Sequence, residues 1–155
     1  MQATSENGAP APDRPDKLSI IVYSGEFDKV HYALALASSA VATNQAATLF
    51  FTMGACRALV RAGTDGTPGW HALGAGPGGA APAEIDRDYA RLGVATFDEL
   101  FSACVELGVR FIVCEMGLRA AGIKPEDLRD DLTIDTAGIV TFLGDASKDG
   151  AMLFV

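Results

Sequence analysis

The sequence lacks the features that mark membrane, secreted and nucleic-acid-binding proteins. No run of apolar residues approaches the roughly 20 that a helix needs to cross a bilayer. Residues 1–17 are polar and rich in proline, alanine and aspartate, without the basic and then apolar order of a signal peptide. The net charge is −8 and no stretch forms a basic patch, which argues against nucleic acid as a partner. We therefore expect a disordered tail over residues 1–17, followed by one cytoplasmic domain over residues 18–155.

Cysteine is scarce, and its spacing argues against a metal site. The chain has three cysteines, Cys56, Cys104 and Cys114, and no two of them form a CxxC pair. That spacing disfavours zinc, and the absence of a secretion signal favours reduced thiols. The sequence therefore predicts neither a metal nor an organic cofactor.

Short apolar runs alternate with amphipathic helical segments along residues 18–155. The first run, residues 18–23, is followed by helical spacing over residues 27–42 and by a second run at residues 47–53, which is typical of a right-handed βαβ unit. The continued alternation predicts a three-layer α/β/α fold with a five-stranded, mainly parallel sheet. The predicted strands are residues 18–23, 47–53, 110–114, 132–136 and 150–155.

A glycine-rich insertion interrupts this alternation at about residues 63–83, which hold seven of the 17 glycines. A loop of this length inside a compact domain is usually functional or disordered. Its spacing Gly74-x-Gly76-x-x-Gly79 has the outline of a dinucleotide fingerprint, but it neither follows a predicted strand nor opens a predicted helix. We therefore reject nucleotide binding for this segment.

The insertion also holds the one tryptophan, Trp70, and the neighbouring His71. Trp70 either covers the mouth of a pocket or anchors a partner subunit, or else it packs against the surface within a mobile loop. The sequence leaves these interpretations open.

Cys114 is the strongest candidate for a catalytic residue. It ends the strand predicted at residues 110–114 and directly precedes the helix predicted at residues 115–121. The unpaired N–H groups and the dipole at a helix start favour a thiolate, the reactive form of cysteine. The alternative is an inert buried cysteine. Cys56 lies a few residues into the turn after the second strand and ranks second, while Cys104 lies on an apolar helix face and is predicted to be a core residue.

Four more residues are candidates for the same site. Ligands of open α/β sheets bind beyond the carboxyl ends of the strands, where Ser24 and Gly25 follow the first strand. Glu115 places a carboxylate beside the Cys114 thiol, which disfavours the thiolate unless the carboxylate points away or is protonated. His31, near the start of the first helix, is either a proton partner or a packed or solvated side chain.

Several segments together resemble a known family. They are residues 24–29 (SGEFDK), 49–54 (LFFTMG), 114–116 (CEM) with 122–128 (GIKPEDL), and 138–144 (GIVTFLG). In order and spacing they resemble the DsrE/DsrF-like sulfur-relay family over most of residues 18–155, and least through the glycine-rich insertion. The resemblance implies a single α/β/α domain with five parallel strands and a homo-oligomer, a trimer or a multiple of one.

The resemblance also implies a function. In this family a cysteine accepts a sulfane sulfur as a persulfide and passes it on, and Cys114 is the one cysteine here at the matching position. The partners implied are TusA-like carriers and rhodanese-like donors, which would make the protein a sulfur carrier or sulfurtransferase. The chain has Glu115 and Gly117 where the nearest subgroup commonly has Gln and Ser.

Two other classes of function stay open. One is a non-catalytic oligomeric module that binds a small molecule or a partner, with Cys114 merely lining a pocket. The other is a thiol peroxidase-like enzyme, which would need Cys56 as the resolving thiol and a nearby basic side chain such as Arg57.

Overall fold

A five-stranded parallel sheet forms the centre of the protein. The computed structural model describes residues 13–155, so residues 1–12 of the predicted tail lie outside the described residues. The strand order is β4-β3-β2-β1-β5, and every neighbouring pair is parallel. The strands are β1 (Lys17–Val22), β2 (Ala46–Phe51), β3 (Arg110–Cys114), β4 (Ile134–Ala137) and β5 (Ala151–Phe154). This arrangement confirms the predicted α/β fold with five strands.

Within the described part of the chain, five α-helices connect the strands. They are α1 (Phe27–Ala42), α2 (Pro82–Arg91), α3 (Phe97–Glu106), α4 (Glu115–Ala121) and α5 (Ile139–Asp145). Thr96 Oγ1 accepts a hydrogen bond from the Glu99 N–H at 3.3 Å, and the Glu99 carboxylate accepts one from the Thr96 N–H at 3.0 Å. This reciprocal capping fixes the start of α3. Within residues 13–155, no helix is long and apolar enough to cross a membrane.

The two faces of the sheet carry unequal cores. Because alternate residues of a strand point to opposite faces, β1, β2 and β3 contribute to both. The larger core lies under α1 and α3 and includes Leu34 and Phe97. The smaller one consists of Phe50, Ile112, Cys114 and Phe142, with Phe142 supplied by α5. The second face is therefore thinly covered.

The glycine-rich segment packs onto the larger core through Trp70. The indole is 4 % exposed, lies 4.7 Å from the ring of Phe97, and donates a hydrogen bond from Nε1 to Asp98 Oδ1 at 3.1 Å. A Cβ at Gly69 would lie 2.0 Å from the Val60 carbonyl oxygen, so this approach needs a glycine. The interpretation of Trp70 as a surface side chain is therefore wrong, because the aromatic socket that buries it is assembled from distant parts of the chain.

Asp145, at the end of α5, ties that helix to three strands. Its carboxylate accepts hydrogen bonds from Lys17 Nζ at 2.7 Å, Thr48 Oγ1 at 2.6 Å and Arg110 Nη1 at 2.5 Å. Burial alone would raise the pKa of Asp145, but these hydrogen bonds outweigh it, so the pKa lies below the ordinary carboxyl value. Asp145 is therefore an ionised anchor at neutral pH.

Candidate functional site

Cys114 lies at the junction predicted from the sequence. It is the last residue of β3 and the residue directly before α4, with extended backbone angles (φ −77°, ψ 124°). Its side chain is only 1 % exposed and packs with Phe50, Ile112 and Phe142 in the smaller core. A reagent or partner can therefore reach the thiol only if its apolar cover moves.

The first turn of α4 presses tightly against the end of β2. A Cβ at Gly117 would lie 2.5 Å from the Met53 backbone nitrogen and 2.7 Å from Thr52 Oγ1. Met53 itself has a left-handed backbone conformation (φ 48°), which is uncommon for a residue other than glycine. Gly117 is thus required by packing, which is the physical reason why this chain lacks a serine at that position.

Glu115 faces away from the core that holds Cys114. Its side chain is 55 % exposed, and its carboxylate oxygen lies 3.8 Å from Arg119 Nη2 on the next turn of α4. Of the arrangements that the sequence left open, the structure has the one in which the carboxylate points outward.

Cys56 and Cys104 are both buried in the larger core. Burial, and to a lesser degree the neighbouring Cys114, raises the pKa of Cys56 to about 12, and Arg57 opposes the shift. Burial likewise raises the pKa of Cys104 to about 12, and its Sγ lies 3.4 Å from the Leu34 carbonyl oxygen, to which it donates. Both thiols are protonated at neutral pH. Cys56 is therefore not the reactive second thiol that the peroxidase alternative requires. Cys104 is a core residue, as its position on an apolar helix face predicts.

His31 is a packed side chain. It is 6 % exposed, its Nε2 lies 2.8 Å from the Ala95 carbonyl oxygen, and its ring centroid lies 4.7 Å from that of Tyr89. The His31 side chain, which projects from α1, therefore packs against Tyr89 of α2 and bonds to the Ala95 carbonyl group. Cys114 is not among these contacts.

A large cavity opens at the carboxyl edge of the sheet, where the sequence places Ser24 and Gly25. Its volume is about 1040 Å³. Its lining comes from the ends of β1, β2 and β5, the turns that follow β1 and β2, the start of α1 and the glycine-rich segment: Tyr23, Ser24, Gly25, Glu26, Lys29, Met53, Gly54, Arg57, Ala72, Gly74, Phe154 and Val155. The three cysteines are not among these residues. The site candidates therefore separate: Ser24 and Gly25 line the cavity, whereas the Cys114 thiol is buried elsewhere.

Sequence reasoning missed Lys29 as a cavity residue and noted Arg57 only as a neighbour of Cys56. The signal was present in the spacing. Lys29 follows Glu26 by one helical turn, and Arg57 follows Gly54 by one 3₁₀ turn within Met53–Leu59. In both cases the spacing brings a cation back to the start of its helix.

The parallel sheet with helices packed on both of its faces places the protein in the α/β class of folds. Residues 78–154, which contain Cys114 and α5, match the model of the DsrE/DsrF/DrsH-like family. This match confirms the resemblance predicted from the sequence.

Individual relatives extend the similarity over nearly the whole chain. The chain is 26 % identical over 160 residues to the uncharacterized protein YrkE of Bacillus subtilis (strain 168), covering 92 % of this chain and 99 % of YrkE. The ychN protein from E. coli has a similar structure, with a TM-score of 0.53, 15 % identity, and coverage of 90 % of this chain and 97 % of that one. Protein MTH1491 from Methanobacterium thermoautotrophicum, a protein of unknown function, has a TM-score of 0.53 at 13 % identity, covering 90 % of this chain and 98 % of that one. The two structures show the fold alone.

Proposed function

We propose that the protein is a cytoplasmic sulfur-relay protein that accepts and donates sulfane sulfur on Cys114. The observation that supports this most is the place of Cys114 at the β3–α4 junction, inside the segment that matches the family model. The thiolate of Cys114 attacks the outer sulfur of a donor persulfide, and the donor leaves as a thiolate. An acceptor thiolate then takes that sulfur from Cys114, which leaves as a thiolate in turn. Each step is an exchange with no net oxidation and needs no metal or organic cofactor.

This mechanism requires α5 to move, because the Cys114 thiol is nearly inaccessible in the single chain. α5 has seven residues and one buried side chain, Phe142, whose ring lies 4.7 Å from that of Phe50. Its C-terminal end is held by Asp145. A short helix held at two points can open as a unit, since short elements with few buried contacts open at low free energy.

The partners and the assembly follow from exposed apolar surface around α5. An apolar hollow of about 190 Å³ lies there, bounded by Met116, Ile139, Leu143 and Phe154. These four side chains are 48 to 68 % exposed, and Val140 beside them is 84 % exposed. A concentrated apolar patch of this kind fits a protein interface. We propose that it serves a homo-oligomer, a trimer or a multiple, and that TusA-like or rhodanese-like proteins exchange sulfur with the assembled form.

Intact-mass spectrometry tests the sulfur-transfer proposal. The reduced protein, treated with glutathione persulfide, should gain one sulfur atom, and an added acceptor thiol should remove it. Cys114→Ser should abolish the gain, whereas Cys104→Ser, the matched control for a buried thiol, should retain it. Loading of the Cys114→Ser variant, or no loading of the wild type in any oligomeric fraction, would show that Cys114 is not a carrier.

Light scattering at micromolar concentration tests the assembly. The wild type should exceed the mass of one chain. Val140→Glu, within the apolar patch, should reduce that mass. Leu92→Glu, at a residue that is 67 % exposed but lies at the end of α2, should leave it unchanged. A monomeric wild type would contradict the proposed oligomer.

A binding module is the second candidate, and one observation favours it: the buried Cys114 is absent from the lining of the large cavity. In that case the cavity at Ser24 and Gly25 carries the function and Cys114 is structural. Failure of sulfur loading together with ligand binding in the cavity would establish this second candidate over the first.

A further inference from the structure

The large cavity has a floor built by two glycine turns in close contact. A Cβ at Gly25 would lie 3.0 Å from the carbonyl carbon of Gly54, and a Cβ at Gly54 would lie 3.1 Å from the Gly25 Cα. The Gly74 N–H donates to the Gly25 carbonyl oxygen at 2.7 Å, and the Phe27 N–H donates to the Gly74 carbonyl oxygen at 3.1 Å. These contacts hold the turns after β1 and β2 in a fixed position, so the cavity is formed before any ligand arrives.

Two cationic side chains, Lys29 and Arg57, line this cavity, although the chain as a whole has a net charge of −8. Glu26 is the one acidic side chain in the lining. Lys29 Nζ lies 3.4 Å from Glu26 Oε2, and both side chains are about half exposed, so this pair contributes little and can open for a ligand. Arg57 is half-buried and makes no ion pair with any residue in 13–155. A half-buried guanidinium with unused donors is suited to an oxyanion.

Part of the cavity wall is aromatic. The rings of Tyr23 and Phe154 stack with centroids 5.4 Å apart and planes inclined by 30°, and the two side chains are 47 % and 68 % exposed. Ligand sites commonly combine such apolar walls with a few convergent polar groups, and their volumes are on the order of 300–1,000 Å³. This cavity combines the cations of Lys29 and Arg57 with the apolar rings of Tyr23 and Phe154.

We infer that this cavity binds a small organic oxyanion, with its phosphate, sulfonate or carboxylate group between Arg57 and Lys29 and its apolar part against Tyr23 and Phe154. The inference rests on the binding-module candidate and names its ligand class. It does not depend on sulfur transfer at Cys114.

Amide NMR titration with phenyl phosphate tests the inference on the full chain. Phenyl phosphate should shift the amide signals of residues 24–29 and 53–57, and raising the salt concentration should weaken its binding. Phenol, which has the same ring without the anion, should bind at least about tenfold more weakly, which is the loss expected when a charged hydrogen-bonding pair is removed. Inorganic phosphate should bind the same residues more weakly than phenyl phosphate, because it does not use the aromatic wall.

Two variants should change the affinity for phenyl phosphate in opposite directions. Arg57→Gln should weaken binding about tenfold or more, since it removes the unpaired guanidinium. Glu26→Gln should strengthen binding, since it removes the one carboxylate and releases Lys29. Arg119→Gln, at an exposed arginine on α4 outside the cavity, should have no effect.

The outcomes distinguish the oxyanion inference from the more general binding-module candidate. Equal binding of phenol and phenyl phosphate at these residues, or no loss of affinity in Arg57→Gln, would overturn the oxyanion inference while the binding module survives. If neither probe shifts any signal of the cavity residues at millimolar concentration, the oxyanion inference fails.

Discussion

Replacing Asp145 with asparagine should expose Cys114 more often, because Asp145 is the polar anchor of the helix that covers it. The carboxylate accepts hydrogen bonds from Lys17, Thr48 and Arg110, which come from three different strands. Asparagine keeps the shape but loses the charge and one acceptor oxygen. Its amide group would also face the N–H donors of Lys17 or Arg110 without being able to accept from them.

The magnitude follows from the loss of one hydrogen bond between charged groups. Such a bond contributes roughly 1.5–3 kcal/mol, and because the Asp145 side chain is only 10 % exposed, solvent does not reduce its contribution below that range. A loss of about 2 kcal/mol raises the population of the open form about 30-fold. If α5 opens as a unit, the rate at which a thiol reagent labels Cys114 should rise by a similar factor.

Thiol labelling under native conditions, resolved by peptide mass spectrometry, measures this rate. Cys56 and Cys104 lie in the larger core and act as internal controls for global unfolding. In Asp145→Asn the rate at Cys114 should rise more than the rates at the other two cysteines. Asp131→Asn, which removes a carboxylate paired with Arg129 away from α5, should leave the Cys114 rate unchanged. Equal acceleration at all three cysteines, or none at Cys114, would refute opening through α5.

The same variant should also change the acid stability. Because the pKa of Asp145 is lower in the folded protein, its contribution is fully present above the ordinary carboxyl pKa of about 3.9 and is lost as the pH falls through the lower folded value. The free energy of unfolding of the wild type should therefore decrease on acidification below that range. In Asp145→Asn this decrease should be smaller.

Two further substitutions test the packing around the site. Trp70→Ala should lower the free energy of unfolding by about 3–5 kcal/mol because it leaves a cavity among the aromatic rings of the larger core. Urea unfolding followed by circular dichroism measures this loss. A loss typical of a surface side chain would contradict the burial of Trp70. Gly117→Ala should cost roughly 1–3 kcal/mol through overlap with Met53 and Thr52, whereas Gly144→Ala in α5, where a Cβ meets nothing within 4 Å, should be neutral or stabilising. Equal effects of the two alanines would show that α4 does not pack tightly against the end of β2.

The fold was largely predictable because local patterns agree with the global arrangement. The apolar runs that become β1, β2 and β3 are buried on both faces, which is what a near-continuous run indicates for a parallel strand. The spacing Thr96-x-x-Glu99 is that of a capping box, so the start of α3 can be read from the sequence, and both hydrogen bonds of the box are present. The fourth strand was less well placed, since β4 begins at Ile134 rather than at residue 132. Just before β4, Arg129 pairs with Asp131. This contact between side chains is not visible from the strand propensity of the segment.

The site was predictable in position but not in accessibility. Sequence position correctly places Cys114 at the end of a strand and Ser24 and Gly25 at the mouth of a cavity. It does not reveal which face of the sheet a strand-ending side chain meets, or whether a helix later in the chain covers that face. Phe142, 28 residues beyond Cys114 in the sequence, provides this cover. Burial of this kind depends on contacts between distant segments, so it could be found only in the assembled fold.

The separation of Cys114 from the cavity has a consequence for how the two candidate functions relate. The lining of the cavity comes from the ends of β1, β2 and β5, whereas Cys114 lies under α5 among apolar rings. Three residues connect them: Tyr23, Met53 and Phe154 border both the cavity and the apolar hollow beside α5. An anion held by Arg57, as we propose, would contact the cavity side of this wall, while a protein partner at α5 would contact the other. The two proposed functions would then be compatible in one chain, and labelling of Cys114 with and without phenyl phosphate would show whether the shared wall couples them.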